Sequence, residues 1–100
     1  MSFDGKRVFV TGGSRGIGAA IACAFRARGA AVAVGGRSTG SFEAFAARHG
    51  ADRVHPAIGD MGTRAGCRSA VEAALAALGG LDVLVNAAGV YSEVPVDDID

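Results

Sequence analysis

Neither sign of charge prevails in this sequence, in which ten Lys and Arg stand against ten Asp and Glu. That balance argues against nucleic acid or an anionic membrane surface as the main partner. No apolar run approaches the ~20 residues that a membrane-spanning helix requires. Residues 1–6 lack the basic stretch and apolar run of a secretory leader, so a cytoplasmic setting is expected. Cysteine is scarce, and the two present, Cys23 and Cys67, form no Cys-x-x-Cys pair. Each falls in a helical pattern, on helices expected to lie on opposite faces of a sheet. Both therefore read as buried free thiols rather than as a disulfide. His49 and His55 lack metal-ligand spacing with either cysteine. The acidic run Asp97-Asp98-Ile99-Asp100 reads as the start of a helix, not as a metal site.

What the sequence has is apolar runs punctuated by glycine. Half of its 100 residues are hydrophobic, enough for one domain with a core. The 16 glycines sit singly or in pairs between the runs, with no collagen or linker period. Arg7-Val8-Phe9-Val10-Thr11 reads as a strand buried on both faces. Residues 16–28 read as a helix with Ile17, Ile21 and Phe25 as its inward stripe, closed by Gly29. Ala30-Ala31-Val32-Ala33-Val34 is a second strand. Ser41 is placed as the N-cap of a second helix with a stripe of Phe42, Phe45, Ala46 and His49, ended by Gly50. Arg53-Val54-His55-Pro56-Ala57-Ile58 is a third strand. Thr63 caps a third helix with a stripe of Cys67, Val71, Ala74, Leu75 and Leu78, closed by Gly79-Gly80. Leu81-Asp82-Val83-Leu84-Val85-Asn86 is a nearly continuous apolar fourth strand.

Strands alternating with helices predict an α/β fold with parallel strands and right-handed crossovers. The doubly wound, Rossmann-type arrangement has spatial order 3-2-1-4. That order puts the proline-bearing third strand at an edge, where a residue without an N–H is tolerated. It also sends the first two helices to one face and the third to the other. The fourth strand would be left as an apolar edge, so the isolated chain is expected to be marginally stable and to self-associate or aggregate through it.

The chemistry is concentrated in Thr11-Gly12-Gly13-Ser14-Arg15-Gly16-Ile17-Gly18, where the first strand turns into the first helix. Glycines there allow close backbone approach and aim helix N–H groups at a phosphate. The segment lacks the Gly-Lys-Ser/Thr ending of a triphosphate-binding loop. Its Gly-x-x-x-Gly-x-Gly spacing, preceded by Thr11, resembles the short-chain dehydrogenase/reductase family. Asn86-Ala87-Ala88-Gly89 at the end of the fourth strand and Asp60 just after the third also match that family's pattern. The resemblance covers essentially the whole chain. It implies that Gly12, Gly16 and Gly18 form the phosphate cradle, with the Ile17 backbone facing the pyrophosphate. It further implies that Asp60 and the Met61 backbone address adenine, and that Asn86, Ala87 and Gly89 line the ribose and nicotinamide side. Asp60 also reads as an acidic residue at a helix N-terminus, and Asn86 as a strand-end amide bonded to neighbouring backbone.

Cofactor choice follows from charge. An NAD site usually has Asp or Glu at the end of the second strand, bonded to the ribose 2′-hydroxyl. This sequence has Gly35-Gly36-Arg37-Ser38 there. A carboxylate would repel a 2′-phosphate, whereas Arg37 offers it a planar fork of donors. Arg15 can reach the same group, and Ser14 and Ser38 add hydroxyls. NADP(H) is therefore expected over NAD(H), with a small-molecule carbonyl or alcohol as substrate. The family's Tyr-x-x-x-Lys pair is not found: the lone tyrosine, Tyr91, is followed four residues later by Pro95. Family members run to well over twice this length, so the chain is expected to be an inactive fragment supplying the cofactor-binding half of a homo-oligomeric enzyme. A non-catalytic nucleotide-binding or sensor module ending near Asp100 is the alternative. A methyltransferase is disfavoured because its ribose-binding acid after the second strand is missing.

Overall fold

A computed structural model describes residues 2–14 and 16–87. The elements follow the expected order: β1 (Arg7–Thr11), α1 (Gly16–Ala27), β2 (Ala31–Gly36), α2 (Thr39–His49), β3 (Val54–Ile58), α3 (Arg64–Leu78) and β4 (Val83–Asn86). The four strands are parallel and stand in the order β3-β2-β1-β4. This is the expected doubly wound arrangement. Val8 pairs with Val32 on one side and Val83 on the other, so β1 is interior and Val8, Phe9 and Val10 are wholly buried. Pro56 lies opposite Val34 on β3, the outermost strand on that side.

Because strand side chains alternate between faces, the sheet supplies two separate cores. Val8, Val10, Val32 and Val34 meet Ala19 and Ala22 of α1 and Phe45 of α2. Phe9, Ala33 and Ala57 point the other way, onto Ala70 and Ala74 of α3. Cys23 packs with the first core and Cys67 stands on α3; both are free thiols, but half-buried rather than buried. The α3 side is the thinner core, since its buried members are Phe9 and four alanines. At roughly 25 cal/mol per Å² of apolar surface, alanines hold a helix far less firmly than valines.

Four local readings are corrected. On α1 the buried residues are Gly18, Ala19 and Ala22, while Ile21 and Phe25 flank them half-buried and Ile17 is 47% exposed. The helix lies too close to the sheet for large side chains to stand between them. On α3 the contact is likewise made by Ala70 and Ala74, and Leu75 is exposed. Ser38, not Ser41, occupies the N-cap of α2, and its side chain makes no capping bond. Strand β2 continues through Gly35 and Gly36, because their pairing with Ala57 and Ile58 carries the ladder past the last valine. Thr63 caps α3 as expected, its hydroxyl accepting from the Gly66 N–H at 2.9 Å.

The entry to β4 is tied to the start of β1. Arg7 donates to Asp82 from Nε at 3.0 Å, from Nη2 at 3.2 Å and from its backbone N–H at 2.8 Å. Asp82 returns its own N–H to the Arg7 carbonyl at 2.8 Å, and Arg7 Nη1 reaches the Gly79 carbonyl at the end of α3. One guanidinium thus joins β1, α3 and β4. The Arg7 side-chain bonds, then its backbone N–H, hold the Asp82 carboxyl at about 2, below its ordinary 3.8. A carboxyl whose folded pKa is depressed stabilises the fold above its unfolded pKa. That contribution is lost as pH falls from about 4 through about 2. Asp82→Asn removes it, so its melting temperature should fall less than the parent's between about pH 5 and pH 2. Circular-dichroism melts measure this, and parallel curves for both proteins would contradict it.

Among the described residues β4 has one neighbour, β1. Val83 and Val85 are half-buried against the α1 side, whereas Leu84, on the thinner α3 side, is 58% exposed. An apolar strand edge beside exposed leucine favours pairing with a second chain. Leu84→Lys should therefore lower the weight-average mass of the isolated chain in sedimentation equilibrium. A parent chain that is monomeric at every concentration would contradict this.

Candidate functional site

The C-terminal ends of all four strands lie along one edge of the sheet, with Thr11 level with Asn86 and Gly36 level with Ile58. The chain runs outward from β1 to β2 and β3, then crosses back to β4, so the direction of winding reverses between β1 and β4. In open α/β sheets a crevice for ligands opens at such a point.

The loop leaving β1 is shaped by what it lacks. Gly12 and Gly16 have φ of 64° and 65°, a left-handed backbone that side-chain-bearing residues rarely adopt. A β-carbon on Gly18 would overlap the Gly12 carbonyl, so α1 rests directly on the loop. A β-carbon on Gly35 would stand 3.1 Å from the Gly12 nitrogen, which brings the end of β2 against the same loop. The first turn of α1, with Gly16, Ile17 and Gly18, has N–H groups without partners inside the helix. A bare backbone concavity with donors of this kind is suited to phosphate oxygens. Ser14 lies beside the end of β2, since a β-carbon on Gly36 would be 3.1 Å from its hydroxyl oxygen.

At the end of β2, the Arg37 side chain is 83% exposed and its Nε stands 3.8 Å from Asp60 Oδ1. The Ser38 hydroxyl is 3.5 Å from that of Ser41. Asp60 builds the turn into α3: its Oδ1 accepts from the Gly62 N–H at 2.8 Å, and its carbonyl accepts from the Thr63 N–H at 3.1 Å. The structure thus places Asp60 both before a helix N-terminus and at the crevice edge. Met61 is half-buried against the α3-side core, and its carbonyl accepts from the Cys67 thiol at 3.3 Å. Asn86 accepts at Oδ1 from the Thr11 hydroxyl at 2.9 Å, so its structural partner is a side chain rather than neighbouring backbone. Ala87 is buried in the α1-side core. Arg15 and Gly89 lie outside the described residues, as do Tyr91 and the acidic run at 97–100.

Reading from motifs alone misses Gly59 and Gly66. A β-carbon on Gly66 would overlap the Asp60 carbonyl, and one on Gly59 the Gly66 carbonyl. These two glycines let α3 sit flush on the loop and fix Asp60 in place. The available signal was a glycine inside a helical pattern, which costs stability unless packing requires it. Among the described residues no three His, Cys, Asp or Glu could share a metal ion, and no helix is long and apolar enough to cross a membrane. A shallow apolar depression lined by Arg64, Cys67, Arg68, Val71 and Glu72 belongs to α3 and includes none of these site residues.

Comparison with known proteins places this geometry in context. Residues 6–100 match the family model described as short chain dehydrogenase. D-threitol dehydrogenase of Mycolicibacterium smegmatis is 40% identical over 98 residues, covering 96% of this chain and 38% of that protein. A short chain dehydrogenase from Burkholderia cenocepacia J2315, solved in complex with NADP, is 40% identical with a TM-score of 0.78. The match covers 100% of this chain and 42% of that one. The 3-ketoacyl-(acyl-carrier-protein) reductase of Brucella melitensis, complexed with NADH, is 34% identical with a TM-score of 0.74. That match covers 83% of this chain and 34% of the reductase. The chain spans about two-fifths of the length of the curated relatives it matches.

Substituting Gly18 tests the cradle. Gly18→Ala forces a methyl group against the Gly12 carbonyl and should destabilise the chain by about 1–3 kcal/mol, as overpacking typically does. Urea denaturation followed by circular dichroism measures this, and an unchanged midpoint would mean that α1 and the loop are not in contact.

Proposed function

The chain belongs to the short chain dehydrogenase family, and on that premise we propose that it forms the cofactor-binding half of an oxidoreductase preferring NADP(H) to NAD(H). The reaction is hydride transfer between that cofactor and a small-molecule carbonyl or alcohol. The observation that carries the preference is Arg37, exposed at the end of β2 where an NAD site would present a carboxylate. The family accommodates both cofactors, since the Burkholderia relative holds NADP and the Brucella relative NADH. Family membership alone therefore does not select one, and the charge at the end of β2 is what supports NADP(H).

The residues fit the group. The loop turns on the left-handed backbone of Gly12 and Gly16, a β-carbon on Gly16 would meet nothing within 4 Å, and one on Gly18 would overlap the Gly12 carbonyl. In this reading the N–H groups of Gly16, Ile17 and Gly18 bind the pyrophosphate, and Arg37 binds the 2′-phosphate with Ser14, Ser38 and Arg15. Asp60 and the Met61 backbone hold adenine, and Asn86, Ala87 and Gly89 bound the ribose and nicotinamide. The bound nicotinamide supplies or accepts the hydride. Thr11 keeps the Asn86 amide oxygen occupied, which turns the amide's NH₂ donors toward other partners. In this reading the chain's own residues bind and orient the cofactor.

One charge-assisted contact is worth about 1.5–3 kcal/mol, or roughly ten- to a hundredfold in affinity. NADPH should bind about tenfold or more tighter than NADH in fluorescence titrations, and Arg37→Ala should bring the two affinities close together. A carboxylate is better introduced at Arg37 than at Gly36, where a β-carbon would meet both Ser14 and Ser41 at 3.1 Å. Arg37→Asp should accordingly favour NADH. Equal affinities in the unaltered chain would overturn the preference.

A further inference from the structure

Arg37 and Asp60 leave adjacent strands at nearly the same level. Gly36 is level with Ile58, and the Gly59 N–H donates to the Gly36 carbonyl at 2.9 Å, so the β2–β3 ladder runs to the base of both residues. The two charges then meet at 3.8 Å between Arg37 Nε and Asp60 Oδ1. They are not equally free. Asp60 is held by its turn to Gly62 and Thr63 and by α3 packed on its carbonyl. Arg37 is 83% exposed and makes that one ion pair among the described residues. A fixed carboxylate thus stands beside a guanidinium that has little else to hold it.

We propose that Asp60 is a specificity-determining counter-charge, which tempers the preference for a 2′-phosphate that Arg37 confers. The inference rests on the reading of Arg37 given above. A 2′-phosphate approaching Arg37 must share the guanidinium with a carboxylate already beside it. An exposed pair is worth at most about a fivefold change in an equilibrium constant. Removing the carboxylate while keeping its turn bond therefore strengthens NADPH binding relative to NADH by a few-fold. Any contact of Asp60 with adenine is common to both cofactors and cancels from the ratio of their dissociation constants. A positioning role opposite in sign, with Asp60 holding Arg37 ready, would lower the ratio instead.

The test is a double-mutant cycle read as the NADH-to-NADPH ratio of dissociation constants, measured by titration calorimetry. Asp60→Asn keeps an Oδ1 acceptor for the Gly62 N–H, and Asp60→Ser repeats the test with a hydroxyl acceptor if the first variant melts early. In the presence of Arg37 the ratio should rise about two- to fivefold, and the rise should shrink at high salt. In the Arg37→Ala background the same substitutions should leave it unchanged, and Asp60→Glu should return it to the parent value. A ratio that falls or stays constant with Arg37 present overturns the proposal, as does an equal rise in both backgrounds, which would mean direct repulsion of the phosphate. If Arg37→Ala alone leaves the ratio untouched, the reading of Arg37 falls and this proposal with it. A collapsed ratio in that variant beside an unmoved ratio in Asp60→Asn overturns this proposal alone.

Discussion

Between the Gly12 carbonyl and the α-carbon of Gly18 there is no room for a β-carbon, and the arrangement of the molecule depends on that contact. It lets α1 descend onto the loop leaving β1. It also explains why the inner face of α1 carries Gly18, Ala19 and Ala22 rather than its larger residues. Ile21 and Phe25 are displaced to the flank, where Phe25 meets Phe3 edge-on with ring centroids 5.0 Å apart. The same descent brings the first turn of α1 to the end of β1, with its unpaired N–H groups at the mouth of the crevice. A larger residue at position 18 would lift the helix and separate the parts of the cradle.

Two of the ion pairs among the described residues illustrate how position decides what a charge does. Arg7 and Asp82 are joined by side-chain and backbone bonds at the N-terminal edge of the sheet, far along β1 from the loop. Their geometry is that of a fastening, and it depresses the Asp82 pKa. Arg37 and Asp60 stand at the opposite, C-terminal edge, 3.8 Å apart and open to solvent. A looser pair at that edge remains available to an incoming anion. The family includes relatives solved with NADP and with NADH.

The fold was largely legible because the relevant signals are local. Pro56 alone argued for an edge strand, and it stands on one. Glycines at a strand-to-helix junction marked the cradle, and Thr63 marked the start of α3. The errors occurred where tertiary contact overrides local pattern. Periodicity assigns the largest apolar residues to the inside, yet Ile17 and Leu75 are exposed because helices packed this closely present glycine and alanine to the sheet. The extension of β2 to Gly36 depends on its partner strand, which no window on β2 contains. Likewise Arg37 and Asp60 each read as isolated residues in sequence, and only the parallel register joins them.

In the proposed function one crevice, at the C-terminal ends of β1 to β4, receives a dinucleotide with its pyrophosphate on α1 and its 2′-phosphate at Arg37. A crystal structure of the chain with NADP(H) bound tests this most directly. Pyrophosphate oxygens are expected within hydrogen-bonding distance of the Gly16–Gly18 amides, and a 2′-phosphate on the Arg37 guanidinium. A dinucleotide bound elsewhere, or one in this crevice with its 2′-phosphate turned away from Arg37 into solvent, would contradict it.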